Sequence, residues 1–268
     1  MTVATPIVTF LSDFGQADWF VGVVHGVLYE TCPGARIVDL THTVEPGDVD
    51  RASFILEAAA RDFPAGSIHL AVIDPGVGTA RRALGVAAHG QFFVGPDNGL
   101  LEWAFTDPAA VCHSLENPRW FRQPVSRTFH GRDVFAPVAA HLAGGQPLES
   151  FGPRVADPMR RTRPISHSLD GELTGCVMFI DRFGNALTNI TADALATAFP
   201  SASEERIEVE LCGRRIGGIS RSYGDSPIGT LVAIVDSSGK LEIAQVGGDA
   251  SSRFGFGRGD RVVVRMMV

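Results

Sequence analysis

Short apolar runs alternate with amphipathic stretches over the first half of the chain, and short apolar runs dominate the second. Residues 7–11 read as a strand and 18–30 as a helix stopped by Pro33 and Gly34. Residues 36–40 read as another strand, and 48–63 as a helix with Asp48 at its N-cap. Short apolar runs at 68–73, 83–88 and 92–94 follow, separated by turns. This alternation predicts an α/β domain with a mostly parallel sheet flanked by helices. Between 153 and 170 the pattern lapses: Pro153, Pro158 and Pro164 accompany Arg154, Arg160, Arg161 and Arg163, with few apolar residues. That span reads as a solvated linker. Beyond it, runs at 176–180, 207–211, 215–219, 231–235, 241–244 and 261–268 are punctuated by Gly, Ser or Asp, with Cys212-Gly213 as a hairpin turn. Only 192–198 looks helical, so a smaller antiparallel, barrel-like β domain is expected. The expected organisation is an α/β domain at 1–152, a linker at 153–170 and a β domain at 171–268.

Composition narrows the partners more than the fold. With 268 residues and 45% hydrophobic positions, the chain can bury a substantial core. A net charge of −7 argues against nucleic acid or an anionic membrane as partner and mildly favours a cationic small molecule. No run is long enough to span a membrane, and the N-terminus lacks the pattern of a secretory leader, so a cytoplasmic location is expected. Cys32, Cys112, Cys176 and Cys212 show no C-x-x-C spacing and read as small apolar core residues. The eight histidines form no H-x-x-x-H pair, so no metal site is expected.

Several apolar runs end in aspartate, including 9–13, 71–74, 176–181 and 231–236. In open α/β sheets ligands bind beyond the carboxyl ends of the strands, which places Asp13 and Asp74 where a polar ligand would sit. Asp74 opens the run D-P-G-V-G-T-A-R, in which Pro75, Gly76 and Gly78 shape a tight turn and Arg81 follows seven residues later. Such a loop can hold Asp74 and Arg81 around one small ligand, or simply brace itself with an ion pair. His130 lies beside Gly131 before the apolar stretch 134–142, at a helix start where it need not be buried. After the first strand there is no G-x-G-x-x-G, which excludes a dinucleotide-dependent oxidoreductase of the usual kind.

Taken together these segments resemble the S-adenosyl-L-methionine (SAM) hydroxide adenosyltransferases, relatives of the SAM-dependent fluorinase and chlorinase. The resemblance covers almost the whole chain. It rests on T-F-L-S-D-F-G (9–15), D-P-G-V-G-T-x-R (74–81), G-P-D-N-G (95–99), F-H-G-R-D-x-F-A-P (129–137), D-R-F-G-N-x-x-T-N (181–189) and S-S-G-x-L-E-I-A (237–244), in that order. It implies hydrolysis of SAM to adenosine and L-methionine; the set Asp74, Arg81 and His130, with no convincing metal cluster in the sequence, leads to the expectation of no cofactor and no metal. It further implies that Asp74, Arg81 and His130 handle the water and that Asp13 binds the ribose hydroxyls. Asp181 would face the methionine ammonium, with Ser237 or Ser238 near its carboxylate. Asn185 and the backbone at Val246 and Gly247 would read adenine, with Glu242 nearby. A homotrimer is implied, each site lying between subunits. The halogenating relatives carry Tyr and Ser where this chain has Asp74 and His130, and a carboxylate suits water better than a halide. A SAM-dependent halogenase and a non-catalytic SAM or adenosine sensor are the alternatives; a sensor would not need all three polar groups.

Overall fold

The computed structural model describes residues 5–161, 164–200 and 203–267. The chain divides into two compact units, Met1–Arg161 and Thr162–Val268. Arg163, within the arginine-rich span, and Val268, at the end of the last expected strand, lie outside the described residues.

In the first unit, β1 (Ile7–Ser12), α1 (Phe20–Thr31), β2 (Arg36–Thr41), α2 (Val49–Ala60) and β3 (Ile68–Val72) follow the predicted alternation. A hairpin of β4 (Ala83–Ala88) and β5 (Gln91–Pro96), then β6 (Val111–Ser114) and α3 (Ala136–Ala143), complete it. The six strands form one sheet in the order β2-β1-β3-β5-β4-β6, with β2, β1, β3 and β5 parallel and β4 antiparallel to both its neighbours. Strand alternation sorts the core. Val8, Phe10, Leu70 and Val72 pack with Val24, Leu28 and the α3 residues Val138 and Ala139 on one face. Leu11, Ala71 and Ile73 pack with the α2 residues Val49, Ala52 and Leu56 on the other. Helices therefore cover both faces, which leaves ligands the strand ends.

Asp48 caps α2, its carboxylate accepting from the Arg51 N–H at 3.1 Å. Helix α1 begins at Phe20, two residues later than the pattern predicts, without a side-chain cap. The solvated-linker reading of 153–161 needs correcting, because this segment is strapped to the first unit. The Val155 N–H donates to the Cys112 carbonyl, and Arg82 bridges Asp97 and Asp157. The Met159 N–H donates to Asp97, and Arg161 pairs with Asp50. The charges here neutralise specific partners, which composition alone does not reveal.

In the second unit, β7 (His167–Leu169), β8 (Glu172–Ile180), β9 (Ala186–Thr191), α4 (Ala192–Ala198), β10 (Ile207–Leu211), β11 (Arg214–Gly217) and β12 (Ile219–Ser220) come first. They are followed by β13 (Leu231–Val235), β14 (Lys240–Gln245), α5 (Ala250–Phe254) and β15 (Arg261–Met266). Strand order is β11-β10-β15-β8-β9-β14-β13-β12, with β7 also pairing β8, and the sheet curls into a barrel-like layer around Val177, Ile190, Val209, Leu241 and Ile243. Apart from the short parallel pair β12–β13, its ladders are antiparallel. Cys212 (φ 49°) and Gly213 (φ 73°) form the β10–β11 turn, the positive pair that a tight two-residue hairpin demands. Cys212 is therefore exposed, its thiol donating to Asp260, and is not a core residue. The expected single strand at 215–219 is two strands, because Gly218 (φ 81°) breaks β11 from β12.

Replacing Asp48 by Ala should lower unfolding stability by about 1 kcal/mol through loss of the cap. A lower urea midpoint with unchanged slope, largely restored in Asp48→Asn, is the expected result.

Candidate active site

Strands β1 and β3 are parallel neighbours, with Ser12 opposite Val72, so Asp13 and Asp74 leave the sheet from adjacent carboxyl ends. The loop after β3 folds back on itself. The Thr79 N–H and hydroxyl both donate to the Gly76 carbonyl, and Gly78 takes φ 76°. A Cβ at Gly78 would stand 2.2 Å from the Arg127 carbonyl oxygen, so no larger residue fits this turn undistorted.

The returning loop brings Arg81 onto Asp74. Its Nε donates to Oδ1 at 2.7 Å, and its Nη2 to Oδ2. Both side chains are largely covered, at 11% and 6% exposure, where a bidentate pair is strongly orienting. Nη2 also meets His130 Nδ1 at 2.9 Å. A guanidinium only donates, so Nδ1 accepts, and the proton of the neutral imidazole resides on Nε2. Burial, and next the Arg81 charge, hold the His130 pKa below its ordinary value, so the ring is neutral near pH 7. The Phe135 ring lies 5.2 Å from the guanidinium centre. His130 itself precedes a single π-helical turn, Gly131–Phe135, that runs into α3.

Asp13 completes this polar rim. Its Oδ2 accepts from the Gly47 N–H at 2.8 Å, while burial, assisted by repulsion from Asp74, raises its carboxyl pKa. Asp13, Asp74 and His130 open onto a cleft of about 300 Å³ walled by Phe14, Pro75, Val77 and Phe129. Phe14 and Phe129 meet edge to face at 5.8 Å.

The second unit carries a separate cleft of about 750 Å³, into which Asp181, Asn185, Ser237, Glu242, Val246 and Gly247 all face. Asp181 organises its own turn. Oδ1 accepts from the Phe183 and Asn185 N–H groups at 2.8 Å, and Oδ2 from the Asn185 side chain at 3.2 Å. Glu242 accepts from the Tyr223 hydroxyl at 2.6 Å. Burial raises the pKa of both groups, and the nearby Asp181 and Asp236 charges add to the shift.

The sequence-named residues thus gather into two sets, Asp13, Asp74, Arg81 and His130 in the first unit and Asp181, Asn185, Ser237, Glu242, Val246 and Gly247 in the second. Ser238 is diverted, its hydroxyl donating to Asp236 within the 236–240 turn. The Val246 N–H is committed to the Thr230 carbonyl and its own carbonyl accepts from Gly229, so that residue retains only a carbonyl lone pair for a ligand. The G-P-D-N-G segment is structural: Asn98 donates to the Ile73 carbonyl and caps Leu100. Sequence reasoning passed over Phe14, Phe129 and Tyr223, which line the clefts. The two phenylalanines flank named polar residues in their motifs, whereas nothing local marks Tyr223.

An α/β unit with a carboxylate–guanidinium–imidazole chain at its strand ends, followed by a β barrel-like unit with its own polar cleft, defines the class. Residues 8–152 match the SAM hydroxide adenosyltransferase N-terminal domain and residues 175–263 the corresponding C-terminal domain. The chain belongs to the SAM hydroxide adenosyltransferase family. It is 41% identical to the (R)-S-adenosyl-L-methionine hydrolase of Salinispora arenicola, over 97% of this chain and 98% of that protein. It is 44% identical to the Thermus thermophilus protein of the same name, over 94% and 96%. A crystal structure of an uncharacterised conserved protein from Thermotoga maritima, 37% identical, matches it at a TM-score of 0.90, covering 96% of this chain and 99% of that one.

His130 should titrate below 6.5 when followed by proton NMR, and Arg81→Met should move it upward, since a neighbouring cation is removed. Because the folded pKa is the lower one, the associated stability is present above pH 6.5 and lost as pH falls through the folded value.

Proposed function

We propose that this chain hydrolyses SAM to adenosine and L-methionine by in-line attack of water on ribose C5′, and that it takes the (R) sulfonium epimer for which its relatives are named. The observation that carries this reading is the Asp74–Arg81–His130 chain at the first cleft. As the water oxygen bonds to C5′, the C5′–S bond breaks and its electron pair neutralises the sulfonium. Methionine leaves as a neutral thioether, so no general acid is required. The water must shed a proton, and His130 is poorly suited to take it, because Nδ1 already faces Arg81 and Nε2 carries hydrogen. In this reading His130 Nε2–H orients the water and Asp74 accepts the proton. A carboxylate tied to a guanidinium suffices, since water becomes strongly acidic as its oxygen bonds to carbon.

Arg81 commits Nε–H and both Nη2 hydrogens to Asp74 and His130 and one Nη1 hydrogen to the Arg82 carbonyl at 3.4 Å, which leaves one Nη1–H. In this reading it acts chiefly by holding the other two groups and supplying a positive field. Alignment of water with C5′ at about 3–3.5 Å supplies much of the remaining acceleration. Asp74 also disfavours a halide nucleophile: two like charges 4 Å apart repel by about 4 kcal/mol at an effective dielectric of 20.

Asp13 would bind the ribose hydroxyls. Asp181 would hold the ammonium and Ser237 the carboxylate of methionine, while Asn185 and Gly247 would read adenine beside Glu242. The protein would need neither metal nor organic cofactor for the reaction, would work in the cytoplasm, and would assemble as a homotrimer in which the two sets of residues meet between subunits. Exposure of Phe183 (74%) and Ile228 (87%) at and beside the second cleft supports a surface made to be covered.

Incubation with resolved (R) and (S) sulfonium epimers in H₂¹⁸O should give adenosine labelled at the 5′-hydroxyl, faster from the (R) epimer, and turnover should survive exhaustive chelation. Asp74→Ala or Arg81→Ala should lower kcat by about 10²–10⁴. Binding without turnover would leave only a sensor, and 5′-halo-adenosine as main product would replace hydrolysis with halogenation. Mixed and reassembled Asp74→Ala and Asn185→Ala subunits should regain part of the lost activity. A fully active monomer would end the trimer proposal.

A further inference from the structure

Asp39 and His42 lie three residues apart and His25 fourteen before Asp39, and the fold draws all three together. Their ligand atoms all lie within 4.8 Å of one another. His25 projects from α1, Asp39 from the edge strand β2, and His42 from the turn that follows it. Phe10, fully buried on β1 and opposite Asp39 in the ladder, is the platform for both imidazoles. Its ring lies 4.6 Å from that of His42 and 6.1 Å from that of His25. The β1–β2 register slips between Phe10 and Leu11, passing from Asp39 to Thr41, an irregularity of the kind that re-aims side chains.

The telling atom is His42 Nε2. The ring is 2% exposed, and its Nδ1 is held by the Ser12 hydroxyl at 2.7 Å. Nε2 lies 3.0 Å from Asp39 Oδ1 but off the line a hydrogen bond requires, so this buried nitrogen has no hydrogen-bond partner. A buried polar atom left so is costly in an ordinary core. His25 Nε2 reaches the same Asp39 oxygen at 2.8 Å. Two imidazole nitrogens thus converge on one carboxylate oxygen, with the buried ring oriented through its other nitrogen by a hydroxyl. Such an arrangement, with the far nitrogen fixed by an outer partner, is how histidine is presented to a metal.

We propose that His25 Nε2, His42 Nε2 and the Asp39 carboxylate bind a divalent first-row transition ion of the zinc class. Two imidazoles and a carboxylate suit such ions. Bonds of about 2.0–2.1 Å in tetrahedral geometry separate ligand atoms by about 3.3 Å, so the two nitrogen–oxygen separations of 2.8 and 3.0 Å need to open by only a few tenths of an ångström, while the two nitrogens lie within 4.8 Å of each other. Asp39 is 40% exposed, which leaves water to fill the remaining position. The ion is not on the reaction path. It clamps the segment that carries Asp13, since Ser12 orients His42, the Gly15 N–H donates to the His42 carbonyl at 2.7 Å, and the Gly47 N–H holds Asp13. The proposal stands on the first unit alone and does not depend on which substrate the clefts take.

Tag-free, chelator-treated protein is titrated with Zn²⁺ by calorimetry and with Co²⁺ by visible absorption, and metal retained after desalting is counted by mass spectrometry. The expected result is one ion per chain, Co²⁺ d–d bands of a low-coordinate site, and a melting temperature that rises with Zn²⁺. His25→Gln and Asp39→Asn change partly exposed side chains and keep the core ring. Each should weaken binding by about tenfold or more and abolish the thermal shift, and Ser12→Ala should weaken it by about 10–100-fold through the freed His42 ring. Absence of uptake by the folded wild-type protein, or unchanged Zn²⁺ affinity in folded His25→Gln and Asp39→Asn, would overturn the proposal.

Discussion

Arg81 holds the candidate active site together. One guanidinium, buried beneath the strand ends, ties the carboxylate of its own loop to the imidazole of a distant turn. Its planar fork sets the Asp74 orientation, and its inability to accept a proton dictates which His130 nitrogen carries hydrogen. The loop geometry follows from the same requirement. Thr79 and the Gly78 turn reverse the chain so that a residue seven positions on returns to its starting carboxylate. A lysine could supply the charge but not two parallel bonds and a third to the ring, so the site's protonation pattern depends on the guanidinium as such.

The second unit meets a different constraint. Its cleft gathers acidic groups, Asp181, Asp236 and Glu242, with Tyr223 donating into the buried one. Burial of Glu242 beside two other carboxylates raises its pKa, against the opposing pull of the Tyr223 hydrogen bond. Asp181 is already engaged by the N–H groups of its turn, so its position is set before any ligand arrives.

Much of this was legible in the sequence, for physical reasons that differ by element. The alternation through β1, α1, β2, α2 and β3 is visible because helices cover both faces of the sheet, and Asp48 signals its helix by the chemistry of a cap. The turn at Cys212-Gly213 is visible because positive φ leaves few residue choices, although the same geometry that betrays the turn exposes Cys212. The aspartates at strand ends are visible because strand and ligand geometry share an axis. Partnerships between distant residues leave no local trace. The strap at 153–161 reads as solvated because its arginines carry no record of Asp50, Asp97 and Asp157. Tyr223 sits in a segment without pattern and reaches Glu242 only through the fold. The same blindness hides the meeting of His25 with Asp39 and His42.

The π-helical turn at Gly131–Phe135 gives the site an unusual kind of fragility. Such a turn is an α-helix carrying one residue too many, and each residue in a helix advances the chain by about 100°. Deleting a single residue there would let an ordinary helix close with every backbone bond intact, yet the residue before it would be swung around the axis. His130 would then leave Arg81, and the buried Gly131, Asp133, Val134 and Phe135 would be displaced with it. The site is in this sense addressed by counting: its imidazole is aimed by an extra residue in one turn, and that residue cannot be dropped without re-aiming it.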